Sequence, residues 1–204
     1  MSSLLLRALP IALTGVLLSS VSAQLSYQAD FESPQFQLGS VQDQQNWRVD
    51  RGTAEIQSQA GRDGTQGLVI TPSDPFGQAS LSLPEPSKEP VVFIDLWLRP
   101  ISSTNEEEAQ FMDADGVVAG FFRFDQTGQL QAMNGNGEQG GEWVATSAEY
   151  EVPETGVSPK WLHLTFRLDF GKDTRAWDLY VDGKLEAADL GFWDDQAAGF
   201  QRLS

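Results

Sequence analysis

The sequence predicts an all-β fold in which two antiparallel sheets press their oily faces together, and three observations carry that prediction. The run Trp161 to Phe170 alternates strictly, with Leu162, Leu164, Phe166, Leu168 and Phe170 on one side of an extended chain. Trp161, His163, Thr165, Arg167 and Asp169 fall on the other side, because successive side chains of a strand point to opposite faces. The run Val91 to Arg99 repeats the pattern, setting Val92, Ile94, Leu96 and Leu98 against Phe93, Asp95, Trp97 and Arg99. Such runs are joined by Asp115-Gly116, Thr127-Gly128 and Asp182-Gly183, pairs that supply the positive φ of tight hairpins. No stretch shows a helical period of useful length.

The first residues read as a secretory leader. Arg7 precedes the apolar run Leu9 to Leu18, and Val21-Ser22-Ala23 then places small residues where a signal peptidase cuts. The run is too short to span a bilayer. Cleavage after Ala23 leaves residues 24–204 as one domain, expected to be secreted or extracytoplasmic (periplasm or cell surface), with no membrane insertion of the mature chain. There is no cysteine, so no disulfide and no lipid-bearing thiol; a core must hold the domain unaided. Lys and Arg number 13 against 29 Asp and Glu, for a net charge of −16, and loss of Arg7 makes the mature chain more acidic still. That balance argues against nucleic acid and anionic membrane as partners, since both demand a basic footprint.

The alternating runs and their turn residues place strands near 25–32, 46–50, 53–58, 66–71, 78–83, 91–99, 108–113, 117–125, 128–133, 142–146, 160–170, 174–182, 184–188 and 199–204. Within 117–125, Phe122 and Phe124 oppose Phe121, Arg123 and Asp125. Prolines at 84, 86 and 90 bar that connection from a sheet interior. Ser102 to Glu108 and Asn134 to Glu142 read as surface loops.

Trp161-Leu-His163-Leu-Thr-Phe-Arg-Leu, followed by Trp177-Asp-Leu-Tyr-Val-Asp182-Gly183-Lys-Leu, resembles the laminin G-like and pentraxin-like members of the concanavalin A-like lectin/glucanase superfamily. Phe93-Ile-Asp-Leu-Trp97-Leu-Arg99-Pro100 is similar to the strand preceding them in that fold. Phe31-Glu32, Leu38-Gly39, Trp47 and Gly64-Thr-Gln-Gly67-Leu-Val-Ile70 resemble the opening strands of exported bacterial members. The resemblance implies a jelly-roll sandwich of two curved sheets that binds glycans, or calcium with a polar ligand, on its concave sheet or rim loops. It also implies one more closing strand beyond Ser204, hence a truncated chain with an open edge at strand 25–32.

The polar face of strands 91–99, 117–125 and 161–170 is the candidate ligand surface. It is expected to gather Asp95, Trp97, Arg99, Arg123, His163, Arg167 and Asp169. Flat aromatic rings lie beneath the C–H faces of sugars, while arginines fork onto hydroxyls or carboxylates, which suits an acidic glycan. An ordinary solvated sheet face with cross-strand Arg–Asp pairs accounts for the same residues. Trp161 and Trp177 read as packing residues, and His163 as a structural histidine within the sheet.

Several chemistries find no motif. Glycosidases of this fold carry an E-x-D-x-x-E strand that sets two carboxylates on one face, and no E-x-D occurs in this chain. The lyase strands R-[ST]-E and Q-[IV]-H are also unmatched, which leaves a diverged lyase using His163 or Tyr180 as base. One histidine rules out a His-rich metal site. Asp113-Ala-Asp115-Gly116 has a calcium-loop look, but Val117 stands where a ligand should, so the segment reads as a hairpin turn. Ca2+ held by rim carbonyls stays open, without nameable ligands, and no other cofactor is expected. Gly135-x-Gly137-x-x-Gly140 precedes a strand rather than a helix and reads as a flexible loop. Three functions remain open: a non-catalytic module for carbohydrate binding or adhesion to extracellular polysaccharide, a polysaccharide-active enzyme, and a structural cell-surface protein.

Overall fold

In the computed structural model, the described residues are 27–73, 77–87, 89–99, 108–150, 160–171, 173 and 175–204. The expected leader, residues 1–23, and most of the 102–108 loop lie outside them. The strands are β1 (Gly39–Ser40), β2 (Trp47–Arg51), β3 (Thr53–Gln57), β4 (Gly67–Thr71), β5 (Gln78–Ser82), β6 (Val91–Leu98) and β7 (Glu108–Met112). They continue with β8 (Val118–Phe124), β9 (Gln129–Gly135), β10 (Gly141–Glu149), β11 (Leu162–Asp169), β12 (Ala176–Val181), β13 (Lys184–Gly191) and β14 (Arg202–Leu203). A 3₁₀ turn, Arg62–Gly64, sits between β3 and β4. Among the described residues no helix is long and apolar enough to cross a membrane.

Every strand pair is antiparallel. A seven-stranded sheet runs β10-β9-β8-β7-β14-β5-β2, a four-stranded sheet runs β13-β12-β11-β6, and a three-stranded sheet runs β1-β3-β4. The protein is therefore an all-β sandwich, as the alternation predicts. The two larger sheets meet through the residues assigned inward by parity. Leu162, Leu164, Phe166 and Leu168 are fully buried, and Val92, Ile94, Leu96 and Leu98 pack beside them.

At the centre, Phe166 of β11 lies 4.7 Å from Phe111 of β7 and 4.7 Å from Phe122 of β8, ring centre to ring centre. Trp177 of β12 stands 6.0 Å from Phe111 and is fully buried, as expected of a packing residue. The indole leans on Gly120 of β8, where an added Cβ would come within 3.1 Å of the Trp177 Nε1.

A second core, built on Phe36, Val41, Ala54, Ile56 and Ala79, joins the three-stranded sheet to the β2–β5 end of the seven-stranded one. Here the expected strand 25–32 is corrected: its described residues, 27–32, form no strand. Phe31 takes a left-handed backbone, φ 62°, and Phe36 N–H closes a tight turn on the Glu32 carbonyl. The turn seats the Phe31 ring 5.1 Å from Phe36 and 5.6 Å from Trp47, a packing gain that outweighs the local β pattern. The expected strand 199–204 shrinks to β14, which bridges β5 and β7.

The sandwich is clasped along one side. Glu186 of β13 accepts bonds from Ser147 N–H at 2.9 Å and Ser147 Oγ at 2.6 Å on β10, and from Lys184 Nζ at 2.6 Å. Nearby, Gly191 N–H donates to Asn134 Oδ1 at 2.9 Å, and a Cβ on Gly135 would collide with the Phe192 carbonyl. The Gly135–Gly140 segment is thus a fastened hairpin loop, with Asn136 Oδ1 accepting from the Glu138 and Gly140 amides.

Two outcomes follow for stability. Phe166→Ala should lower the unfolding free energy by about 3–5 kcal/mol in urea titrations, since the cavity opens between both sheets. The Lys184 and Ser147 bonds hold the Glu186 carboxyl down to about 2, from an ordinary 4.5. A depressed acid stabilises the fold above its ordinary range and loses that contribution as pH falls. Melting curves of Glu186→Gln should lie below wild type at neutral pH and converge with it between about pH 4.5 and pH 2.

Candidate functional site

Alternation sends the odd-numbered residues of β6 and β11 to the outer face of the four-stranded sheet, and strand pairing sets them in rows. Trp97 lies opposite His163, Asp95 opposite Thr165, and Phe93 opposite Arg167. On the far side of β11, Thr165 pairs with Tyr180 and Arg167 with Asp178, and Tyr180 in turn faces Leu185.

The first row is a stack. The His163 imidazole lies 4.4 Å from the Trp97 ring at an interplanar angle of 6°, and the Arg62 guanidinium stands 3.9 Å from the same indole. His163 Nε2 is 3.2 Å from Asp95 Oδ1, which also accepts the Thr165 hydroxyl at 2.5 Å. His163 is therefore oriented within the sheet by a carboxylate. Asp95 itself keeps 59% of its side chain exposed.

Arg167 is committed elsewhere. It donates to Asp169 Oδ2 at 2.8 Å and to Asp178 Oδ2 at 3.2 Å. Burial pulls its pKa down, but the hydrogen bonds and charges of these two carboxylates more than offset this and hold it above the ordinary arginine value. One cation between two anions leaves the cluster net negative. Asp178 also receives the Asp189 amide at 2.9 Å, so the triad braces β11 against β12 and β13.

Of the two remaining expected members, Arg99 stays beside this sheet and Arg123 does not. Arg99 follows β6 with its guanidinium 4.9 Å from the Trp161 ring. Arg123 is corrected: it lies on β8 in the seven-stranded sheet, with the hydrophobic core between it and the other candidates. There its Nε donates to Gln131 at 2.9 Å and its guanidinium covers Trp143 at 4.0 Å. Parity tells which residues of β8 face outward but not to which sheet β8 belongs. On that sheet the apolar rings are used internally, Phe121 being buried with Trp193 edge-on at 5.1 Å.

The outer face of the four-stranded sheet differs. Of the five large apolar side chains exposed among the described residues, Phe93 at 61%, Trp97 at 46% and Leu185 at 47% lie on it, while Leu38 and Ile70 belong to the region of the three-stranded sheet. Sequence reasoning placed Phe93 on this face yet left it out of the site, although it shares parity with Asp95 and Trp97. Tyr180 and Leu185 needed the β11–β12–β13 pairing, and no local signal could have joined Arg62 to Trp97.

Among the described residues no three His, Asp or Glu groups gather as a metal would need. Asp113 spends its carboxylate on the Asp115, Val117 and Ala198 amides, at 2.9, 2.9 and 3.1 Å, which makes it the organiser of the β7–β8 turn.

No protein-family description and no curated protein matches the chain. Among solved structures, a chain described as a sialidase superposes with a TM-score of 0.58 and 19% identity, over 81% of this chain and 13% of that one. The matched region is thus a small part of a much longer protein.

Replacing Arg167 by Met leaves Asp169 and Asp178 facing each other without their cation. The variant should lose about 1–3 kcal/mol of stability at neutral pH, read from denaturant midpoints.

What the comparison supports is the fold alone: the chain is an antiparallel β-sandwich compatible with a lectin- or glucanase-like jelly roll.

Proposed function

We propose that the protein is an exported, non-catalytic recognition module that holds a glycan on the outer face of the four-stranded sheet. The observation that carries this reading is the clustering of exposed Phe93, Trp97 and Leu185 around the Asp95–Thr165–His163 polar group. Phe93, Asp95 and Trp97 alternate along one strand, so the two rings stand about 13 Å apart with a carboxylate between them. Aromatic rings match the C–H faces of sugars, and an exposed carboxylate accepts from their hydroxyls.

One feature supports binding over hydrolysis. A retaining glycosidase needs two carboxyl groups about 5–5.5 Å apart, one to protonate and one to attack. On this face Asp169 and Asp178 are held by Arg167, which leaves Asp95 beside the rings. The same pairing commits Arg167 and leaves its cluster net negative beside the rings, which disfavours a densely acidic glycan, so the favoured ligand is an uncharged polysaccharide. The sialidase whose fold is similar fits a carbohydrate-related role, and the leader read from the sequence fits a ligand met outside the cytoplasm.

Affinity electrophoresis through gels loaded with neutral or uronate-bearing polysaccharides tests the reading. Retardation by a neutral polymer is expected, and Phe93→Ala should weaken it about tenfold or more while the far-UV spectrum is preserved. Equal retardation of variant and wild type would remove this face as the binding surface.

A further inference from the structure

Resting on that reading, we infer that Arg62 is a displaceable cover on Trp97 that sets how readily a sugar ring reaches the indole. Trp97 stacks on His163 from the β11 side, 4.4 Å away and nearly parallel, while the Arg62 guanidinium lies 3.9 Å from the same ring. Two planar groups so near one ring centre cannot share a face, since each needs about 3.5–4 Å of clearance from its neighbours. They lie on opposite faces. The indole therefore reaches solvent mainly by its edge, and a sugar that stacks on it must take the place of one of the two.

His163 is the fixed one. It is held within β11, its Nε2 is bound to Asp95, and its backbone N–H donates to Asp182 Oδ1 at 3.2 Å. Arg62 is loosely held. Its side chain is 49% exposed, and its ion pair is with the neighbouring Asp63 at 3.5 Å, itself 83% exposed. Exposed pairs of this kind hold weakly. The 3₁₀ turn does not need the guanidinium for its shape: the Arg62 carbonyl accepts from Thr65 N–H at 3.2 Å and from Thr65 Oγ1 at 2.7 Å. No residue of the turn is buried. The side chain can thus swing off the indole while the backbone stays in place.

Displacing a guanidinium from an exposed indole forfeits a cation–π contact, a penalty of about two- to fivefold in affinity for a ligand that offers nothing in return. A carboxylate-bearing sugar recovers part of it by pairing with the freed arginine; a neutral sugar does not. Arg62 therefore acts as a specificity-determining residue, holding neutral ligands below the affinity that the bare ring would give.

Arg62→Ser tests this in two ways. Binding of a neutral polysaccharide should tighten about two- to fivefold, and acrylamide quenching of Trp97 emission, isolated by subtracting matched Trp97→Phe proteins, should rise in the absence of any ligand. Unchanged or weaker binding with unchanged quenching would overturn the cover. Raised quenching with no glycan retained by wild type or variant would keep the cover and sink the recognition reading.

Discussion

The structure depends on one packing event, the meeting of Phe166 and Trp177 of the four-stranded sheet with Phe111 and Phe122 of the seven-stranded one across the space between them. In a chain without cysteine nothing covalent can stand in for it. Burial of four large rings, each removing on the order of 150–250 Å² from water, is what allows two sheets to overcome the entropy of ordering them. Once Phe166 faces inward, strand alternation leaves no choice for its neighbours. Thr165 and Arg167 must face outward, and pairing then fixes Asp95 and Phe93 beside them.

The outer face is thus a consequence of the core, and its chemistry divides into two parts. Arg167 with Asp169 and Asp178 is a mutually hydrogen-bonded unit spanning β11 and β12, net negative and part-buried. The Trp97–His163–Asp95 group is less closed, with a half-exposed indole and a carboxylate that keeps acceptor capacity. The first suits bracing of the sheet; the second suits contact with something outside it. The seven-stranded sheet shows the reverse economy, since Phe121 is covered by Trp193 and Trp143 carries Arg123.

Much of this was legible in the sequence, because parity is a local property. Leu162 to Leu168 and Val92 to Leu98 announce their inward sides, and the Gly-containing hairpins announce their turns. What was not legible was non-local. Arg123 has the parity of Arg167 yet belongs to the opposite sheet, since sheet membership is decided by partners far along the chain. Phe31 sits in a segment patterned like a strand, but the second core takes its ring at the cost of a left-handed backbone. Arg62 reaches Trp97 from a turn between β3 and β4, a contact that no spacing rule encodes.

The central claim is that ligand meets the four-stranded sheet and not the seven-stranded one. Each tryptophan indole N–H gives its own resonance in a nitrogen–proton correlation spectrum, so titration with a neutral oligosaccharide can report on both faces at once. The Trp97 resonance should move while those of Trp143 and the core Trp177 stay in place. Movement of Trp143 or Trp193 with Trp97 unaffected would put the ligand on the opposite face and contradict the account.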